Sequence, residues 1–198
     1  MFVTFEGLDW SGKSTQAGLL ADWLSEQGRT VLRTREPGGT PVAEAVREVV
    51  LHGHDMSPWA EAALYAAARA DHVEHAIRPA LERGEDVVCD RYLDSSVAYQ
   101  GAARGLGEER VRELNLMVTN GLLPDRTFLV LLDPDAARQR GAGRPDRIER
   151  EGEDFWRRAD EGFRALAAEY PKRIVALDGS GSPEEIAEAV REHVRALL

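Results

Sequence analysis

Gly7-x-x-x-x-Gly12-Lys13-Ser14 is the first place in the chain where residue types and spacing could do chemistry. Glycines at this spacing let successive backbone N–H groups turn inward around an anion, and a following helix adds its positive end. Lys13 can then reach the outer phosphates of a nucleotide such as ATP, while the Ser14 hydroxyl can ligate Mg²⁺. The loop needs a strand before it and a helix after it. The apolar run Met1 to Phe5 and the amphipathic stretch beyond Ser14 supply both. On this reading Gly7, Leu8, Asp9, Trp10, Ser11, Gly12, Lys13, Ser14 and Thr15 form an ATP site.

A second chemical stretch is Val87-Val88-Cys89-Asp90-Arg91-Tyr92, which sets a carboxylate at the end of an apolar strand, where ligands collect in open α/β sheets. Asp90 can hold Mg²⁺, directly or through water, as the acidic partner of Ser14. Arg91 beside it can grip a second phosphate or form a salt bridge to a nearby acid; an unpaired charge there would be costly. A GTPase would need a strand ending in Asp-x-x-Gly and a later guanine-reading motif. Asp178-Gly179-Ser180-Gly181 has the first spacing but lies near the C-terminus with no such motif after it, and reads as a strand-to-helix turn.

These residues need a scaffold, and the hydrophobic pattern provides one. Strand-like runs at Phe2 to Phe5, Thr30 to Thr34, Asp86 to Asp90, Thr127 to Leu132 and Arg173 to Leu177 alternate with helical stretches. That alternation predicts an α/β fold in three layers, a five-stranded, mainly parallel sheet flanked by helices. The first helix should bury Leu19, Leu20, Trp23 and Leu24. Ser57-Pro58 marks another helix start, and Ser182-Pro183-Glu184-Glu185 has the pattern of a capping box ahead of Ile186, Val190, Val194 and Leu197.

With 198 residues, no repeat and no linker, the chain is expected to be one domain spanning 1–198. The net charge of −10 excludes a general basic field for nucleic acid, so anionic ligands must be held by local cations. No apolar run approaches a membrane span and no signal peptide is visible, which makes a cytoplasmic location the default. The single Cys89 rules out an internal disulfide. His52, His54, His72 and His75, with Asp71 and Glu74, lack a recognisable zinc pattern.

Taken together, Glu6 to Thr15, Thr34-Arg35-Glu36-Pro37-Gly38-Gly39-Thr40, Tyr65 to Arg69, Asp90-Arg91-Tyr92 and Ser95-Ser96-Val97-Ala98-Tyr99-Gln100-Gly101 resemble thymidylate kinase. The resemblance runs from Phe2 to the Asp146-Arg147-Ile148-Glu149 stretch. It implies ATP-dependent conversion of dTMP to dTDP on Mg²⁺, in a three-layer P-loop kinase fold that forms homodimers. By position, Arg91 grips the acceptor phosphate, Arg69 reads the thymine carbonyl and Tyr65 stacks on the base. Asp9 meets the sugar 3′-hydroxyl, Ser95, Ser96, Tyr99 and Gln100 line base and sugar, and Tyr99 crowds out a ribose 2′-hydroxyl. Glu36 and Pro37 resemble a loop closing over the nucleotide.

Some relatives carry an arginine inside the phosphate loop, whereas here Trp10 occupies that region. The cationic work is then expected from a mobile, glycine-containing lid at about 138–150, RQRGAGRPDRIER, with Arg144 and Arg147 the first candidates and Arg138 and Arg140 also open. Two other readings stand beside this one. One is a P-loop kinase with another acceptor, a different monophosphate or a deoxynucleoside, the latter needing a base for the 5′-hydroxyl proton; the other is a nucleotide-dependent switch or binding module, which would need a guanine-reading motif or a partner surface.

Overall fold

The computed structural model describes residues 1–141 and 145–198. In chain order its elements are β1 (Phe2–Glu6), α1 (Lys13–Glu26), β2 (Val31–Arg35), α2 (Pro41–His52) and α3 (Pro58–His72). A π-helical turn, Val73–Ile77, carries α3 into α4 (Arg78–Glu82), followed by β3 (Asp86–Asp90) and α5 (Leu93–Ser96). α5 runs on as a second π-helical segment, Val97–Ala103. Then come α6 (Glu108–Val118), β4 (Arg126–Leu131), α7 (Pro134–Arg140), α8 (Glu153–Glu169), β5 (Ile174–Asp178) and α9 (Pro183–Arg195).

The strands form one five-stranded sheet in the order β2-β3-β1-β4-β5, and every pairing is parallel. Parallel strands must be buried on both faces, and β1 meets the requirement by alternation. Val3 and Phe5 face α1 and α9 together with Val88, Phe128 and Val130. Phe2 faces the opposite layer with Val87, Cys89 and Leu129, where Ile77, Tyr92, Val97, Phe155 and Phe163 pack. β2, at the sheet edge, is only partly covered.

The expected helix faces are partly revised. α1 buries Ala17, Leu20, Ala21 and Leu24, an i, i+3, i+4, i+7 stripe, whereas Leu19 and Trp23 sit at its margin, half-buried. In α9 the capping box forms, and Ile186, Val190 and Val194 are buried. Leu197 lies beyond the last helical residue and is only half-buried. Close approach of α8 to the π-helical segment depends on Gly162, where a Cβ would lie 2.9 Å from Ala102 Cβ. This contact brings the α8 aromatics against Tyr99.

Two stability changes follow. Phe5→Ala should lower unfolding free energy by about 3–5 kcal/mol through the cavity it leaves, and Ser182→Ala by about 1 kcal/mol through loss of the cap. Urea unfolding followed by circular dichroism measures both.

Candidate active site

The first loop turns where Gly7 adopts φ +136°; a Cβ there would stand 2.5 Å from the Val130 carbonyl oxygen, so only glycine passes. Gly12 begins α1 with no side-chain cap, and no acidic residue occupies the first turn. The first-turn N–H groups and the positive helix end are thus left for an anion. Asp9, Trp10, Gly12, Lys13, Ser14 and Thr15 line the resulting groove. Gly7, Leu8 and Ser11 stand behind it: Leu8 is in the core, and its carbonyl accepts a 3.0 Å hydrogen bond from Lys13 Nζ. Burial, reinforced by the Arg91 charge, lowers the Lys13 ammonium below its ordinary value, a cost that a bound polyphosphate would offset.

Ser14 hydrogen-bonds the Asp90 carboxylate, and the other Asp90 oxygen, Oδ1, is buried without a partner among the described residues. A hydroxyl beside a carboxylate with an unsatisfied oxygen is a donor set suited to a hard cation such as Mg²⁺.

Next to Asp90, Arg91 is held at φ +70°, a left-handed conformation that costs a non-glycine residue about 1–2 kcal/mol. Its side chain is ion-paired with Asp9 and donates 2.9 Å bonds to the Gly7 carbonyl and Ser95 Oγ. The salt bridge and the exposure to a cavity therefore coexist. Nε of Arg91 has no hydrogen bond among the described residues. Burial would raise the Asp9 carboxyl, but the Arg91 and Lys13 charges outweigh it and hold the group below its ordinary value.

A cavity of about 160 Å³ opens beside this pair, and all the positions expected to receive dTMP line it. They are Asp9, Glu36, Pro37, Tyr65, Arg69, Arg91, Ser95, Ser96, Tyr99 and Gln100. Arg69 is 2% exposed and donates from Nε to Glu36 (2.6 Å), from Nη1 to Ser96 and Asn115, and from Nη2 to the Tyr92 carbonyl. Five N–H donors in a fixed fork leave one Nη2 hydrogen uncommitted. Glu36 also bonds His72 Nδ1 at 3.0 Å, and His72 Nε2 meets Thr34 Oγ1 at 2.8 Å. Tyr99 is both core aromatic and cavity wall, packed edge-on against Trp156 and Phe163.

The arginines after residue 137 depart from expectation. Arg147 does not line the groove: it is buried, with Nη1 2.7 Å from Glu61 and Nε donating to the Val50 carbonyl. The fully buried Glu61 carboxylate supplies a partner that an open lid position lacks, which is why Arg147 turns inward. Arg144 lies outside the described residues. Arg138 pairs with Glu153 on the surface, whereas Arg140 lines the groove.

Sequence reasoning passed over Arg47, Asp146 and Glu149 in the cavity wall and Glu61 behind it. The available signal for Glu61 was a lone acid one helical turn before Tyr65, on an alanine-rich face. Asp9 and Glu149 line both the groove and the cavity, so the two spaces adjoin.

A family model for thymidylate kinase matches residues 5–190. The chain belongs to the thymidylate kinase family. The thymidylate kinase of Leifsonia xyli subsp. xyli is 55% identical over 195 residues, covering 96% of this chain and 92% of that protein. That of Clavibacter michiganensis subsp. michiganensis is 51% identical over 203 residues, with 100% and 96% covered. A crystal structure of thymidylate kinase from Ehrlichia chaffeensis superposes with a TM-score of 0.81 at 32% identity, covering 98% of each chain. A thymidylate kinase phosphorylates dTMP to dTDP and must bring two nucleotides together; the adjoining spaces meet that demand. No helix among the described residues is long and apolar enough to cross a membrane.

Beneath the thymidylate kinase site, Glu6 accepts hydrogen bonds from Tyr92 N and Ser95 Oγ and is fully buried. Burial, with the Asp94 charge behind it, pushes its carboxyl up to about 8. An acid whose pKa is raised on folding stabilises the fold fully below its unfolded value and loses that contribution as pH climbs through the folded value. Stability should therefore fall from about pH 5 to 8, and Glu6→Gln should flatten that fall; urea midpoints across this range test it.

Proposed function

We propose that the protein transfers the γ-phosphoryl group of ATP to dTMP with Mg²⁺, releasing ADP and dTDP. The observation that carries this reading is the meeting of the phosphate-loop groove with the acceptor cavity at Asp9, directly against Arg91. ATP phosphates would lie over the α1 N-terminus and Lys13. The dTMP phosphate would take the free Arg91 Nε–H, with Arg47, bonded to the Pro37 carbonyl at 2.8 Å, a second cation lining the cavity. Tyr65 would stack on thymine, the uncommitted Arg69 hydrogen would reach its carbonyl, Asp9 would meet the 3′-hydroxyl, and Tyr99 would deny space to a 2′-hydroxyl.

A phosphate monoester has its second pKa near 6, so the attacking oxygen is already ionised at neutral pH and needs no strong base. The work left is positioning and charge stabilisation. Ser14 and Asp90 would hold Mg²⁺, which, when bound, neutralises charge on the outer ATP phosphates. Arg140, which lines the groove, becomes the first lid cation to test, with Arg144 retained from the sequence. Of the lid expected at 138–150, the part that carries Arg140 would close over the donor, since Arg147 is held by Glu61 and Val50. A cytoplasmic location suits these substrates. We also assign a homodimer, whose surface would use the exposed Val42 and Val49 of α2 and Met117 of α6.

ADP release measured with dTMP, dUMP, dCMP, dGMP and thymidine should be fastest with dTMP, and release independent of any acceptor would overturn the reaction. Arg91→Ala should cost about 10²-fold or more in turnover. Arg140→Ala should lower kcat by a similar factor while leaving KM for dTMP nearly unchanged, and a normal kcat would remove it from the donor site. Light scattering should give twice the chain mass.

A further inference from the structure

Glu61 lines neither space, yet it is 1% exposed and receives four hydrogen bonds: from Gln100 Nε2 at 2.8 Å, from Arg104 Nε and Nη2, and from Arg147 Nη1. Burial would raise its carboxyl, but the bonds from Arg104, Gln100 and Arg147 outweigh that and hold it below its ordinary value. It is a carboxylate at neutral pH. A carboxylate only accepts, which removes the usual ambiguity in an amide's orientation. Gln100 must turn its nitrogen toward Glu61.

Its carbonyl oxygen, Oε1, is then left without a partner among the described residues, and Gln100 lines the acceptor cavity. The wall thus offers an acceptor from Gln100 and a donor from Arg69 Nη2. Thymine presents N3–H next to the C4 carbonyl, the complementary order. Cytosine presents a bare N3 and an amino group, the reverse order. We propose that Glu61 is the positioning residue that sets base selectivity, by locking the Gln100 amide with its carbonyl toward the base. This role rests on the thymidylate kinase reading of the cavity.

The test uses Glu61→Gln. A carboxamide at position 61 can keep its oxygen on Arg104 Nη2 and Arg147 Nη1, giving up only the Arg104 Nε bond, and present its N–H to Gln100, which then flips and turns its own N–H groups toward the base. Calorimetric Kd values for dTMP and dCMP, alongside kcat/KM from ADP release, should show the dTMP-to-dCMP preference falling by about 10–100-fold, the range expected for one mismatched buried hydrogen bond. The exchange variant Glu61→Gln with Gln100→Glu restores an acceptor facing the base and should recover most of the preference.

A residue that merely supports the fold would weaken both ligands together, so an unchanged preference in Glu61→Gln overturns the proposal. If that variant does not fold, the wild-type protein decides: N3-methyl-dTMP lacks the donor and should bind at least tenfold more weakly than dTMP, and equal binding overturns the proposal. Binding constants read selectivity without turnover. A wild-type protein that binds dTMP selectively but releases no ADP would therefore defeat the reaction assigned above and leave the role of Glu61 standing.

Discussion

Parallel pairing of β1 with β3 is the constraint on which the rest depends. It sets Phe5 opposite Asp90 and so brings the glycine loop that follows β1 beside the Asp90-Arg91 turn that follows β3. Every contact joining the two loops, including Ser14 to Asp90, Arg91 to Asp9, and Tyr92 and Ser95 to Glu6, is a consequence of that register. A slip of one residue would send Asp90 to the other face of the sheet and separate the hydroxyl from its carboxylate. The alternation of Phe2, Val3 and Phe5 between two hydrophobic layers is what holds the register.

Around this junction the protein buries charge on a scale that a core built for stability alone would avoid. Arg69 and Glu36 form one buried ion pair, and Glu61, Arg104 and Arg147 a second charged group. Taking such ions out of water costs several kcal/mol each, and their mutual attraction restores this only with good geometry. What the networks gain is fixed orientation: side chains that must meet an anionic ligand or a base edge are held before it arrives. The net charge of −10 and a cation-lined cavity are compatible for the same reason, because the arginines facing ligand are each held by a few local partners.

Trp10 ties the phosphate loop to the helical layer: its indole stacks on Trp156 of α8, with ring centroids 6.0 Å apart. The loop thereby meets the helix that also packs Tyr99, and Arg140 at the end of α7 joins Lys13 as a cation lining the groove. An apolar contact thus couples the phosphate loop to the wall of the neighbouring cavity.

Local chemistry determined much of this in advance. Strand positions followed from apolar runs, the capping box from Ser182 and Glu185, and the phosphate loop from the spacing of Gly7, Gly12 and Lys13, because each depends on neighbours within a turn or a strand. The resemblance carried by the quoted motifs located the residues of the cavity wall. What only the tertiary structure decided is which charges pair. Arg147 could be read as a free lid cation from its glycine-containing surroundings, but a carboxylate 86 residues earlier in the chain captures it. Arg91 could be read as either phosphate ligand or salt-bridge partner, and it is paired with an acid 82 residues away while still lining the cavity. Ion pairing depends on distance and burial in three dimensions, and neither is encoded in the spacing of residues along the chain.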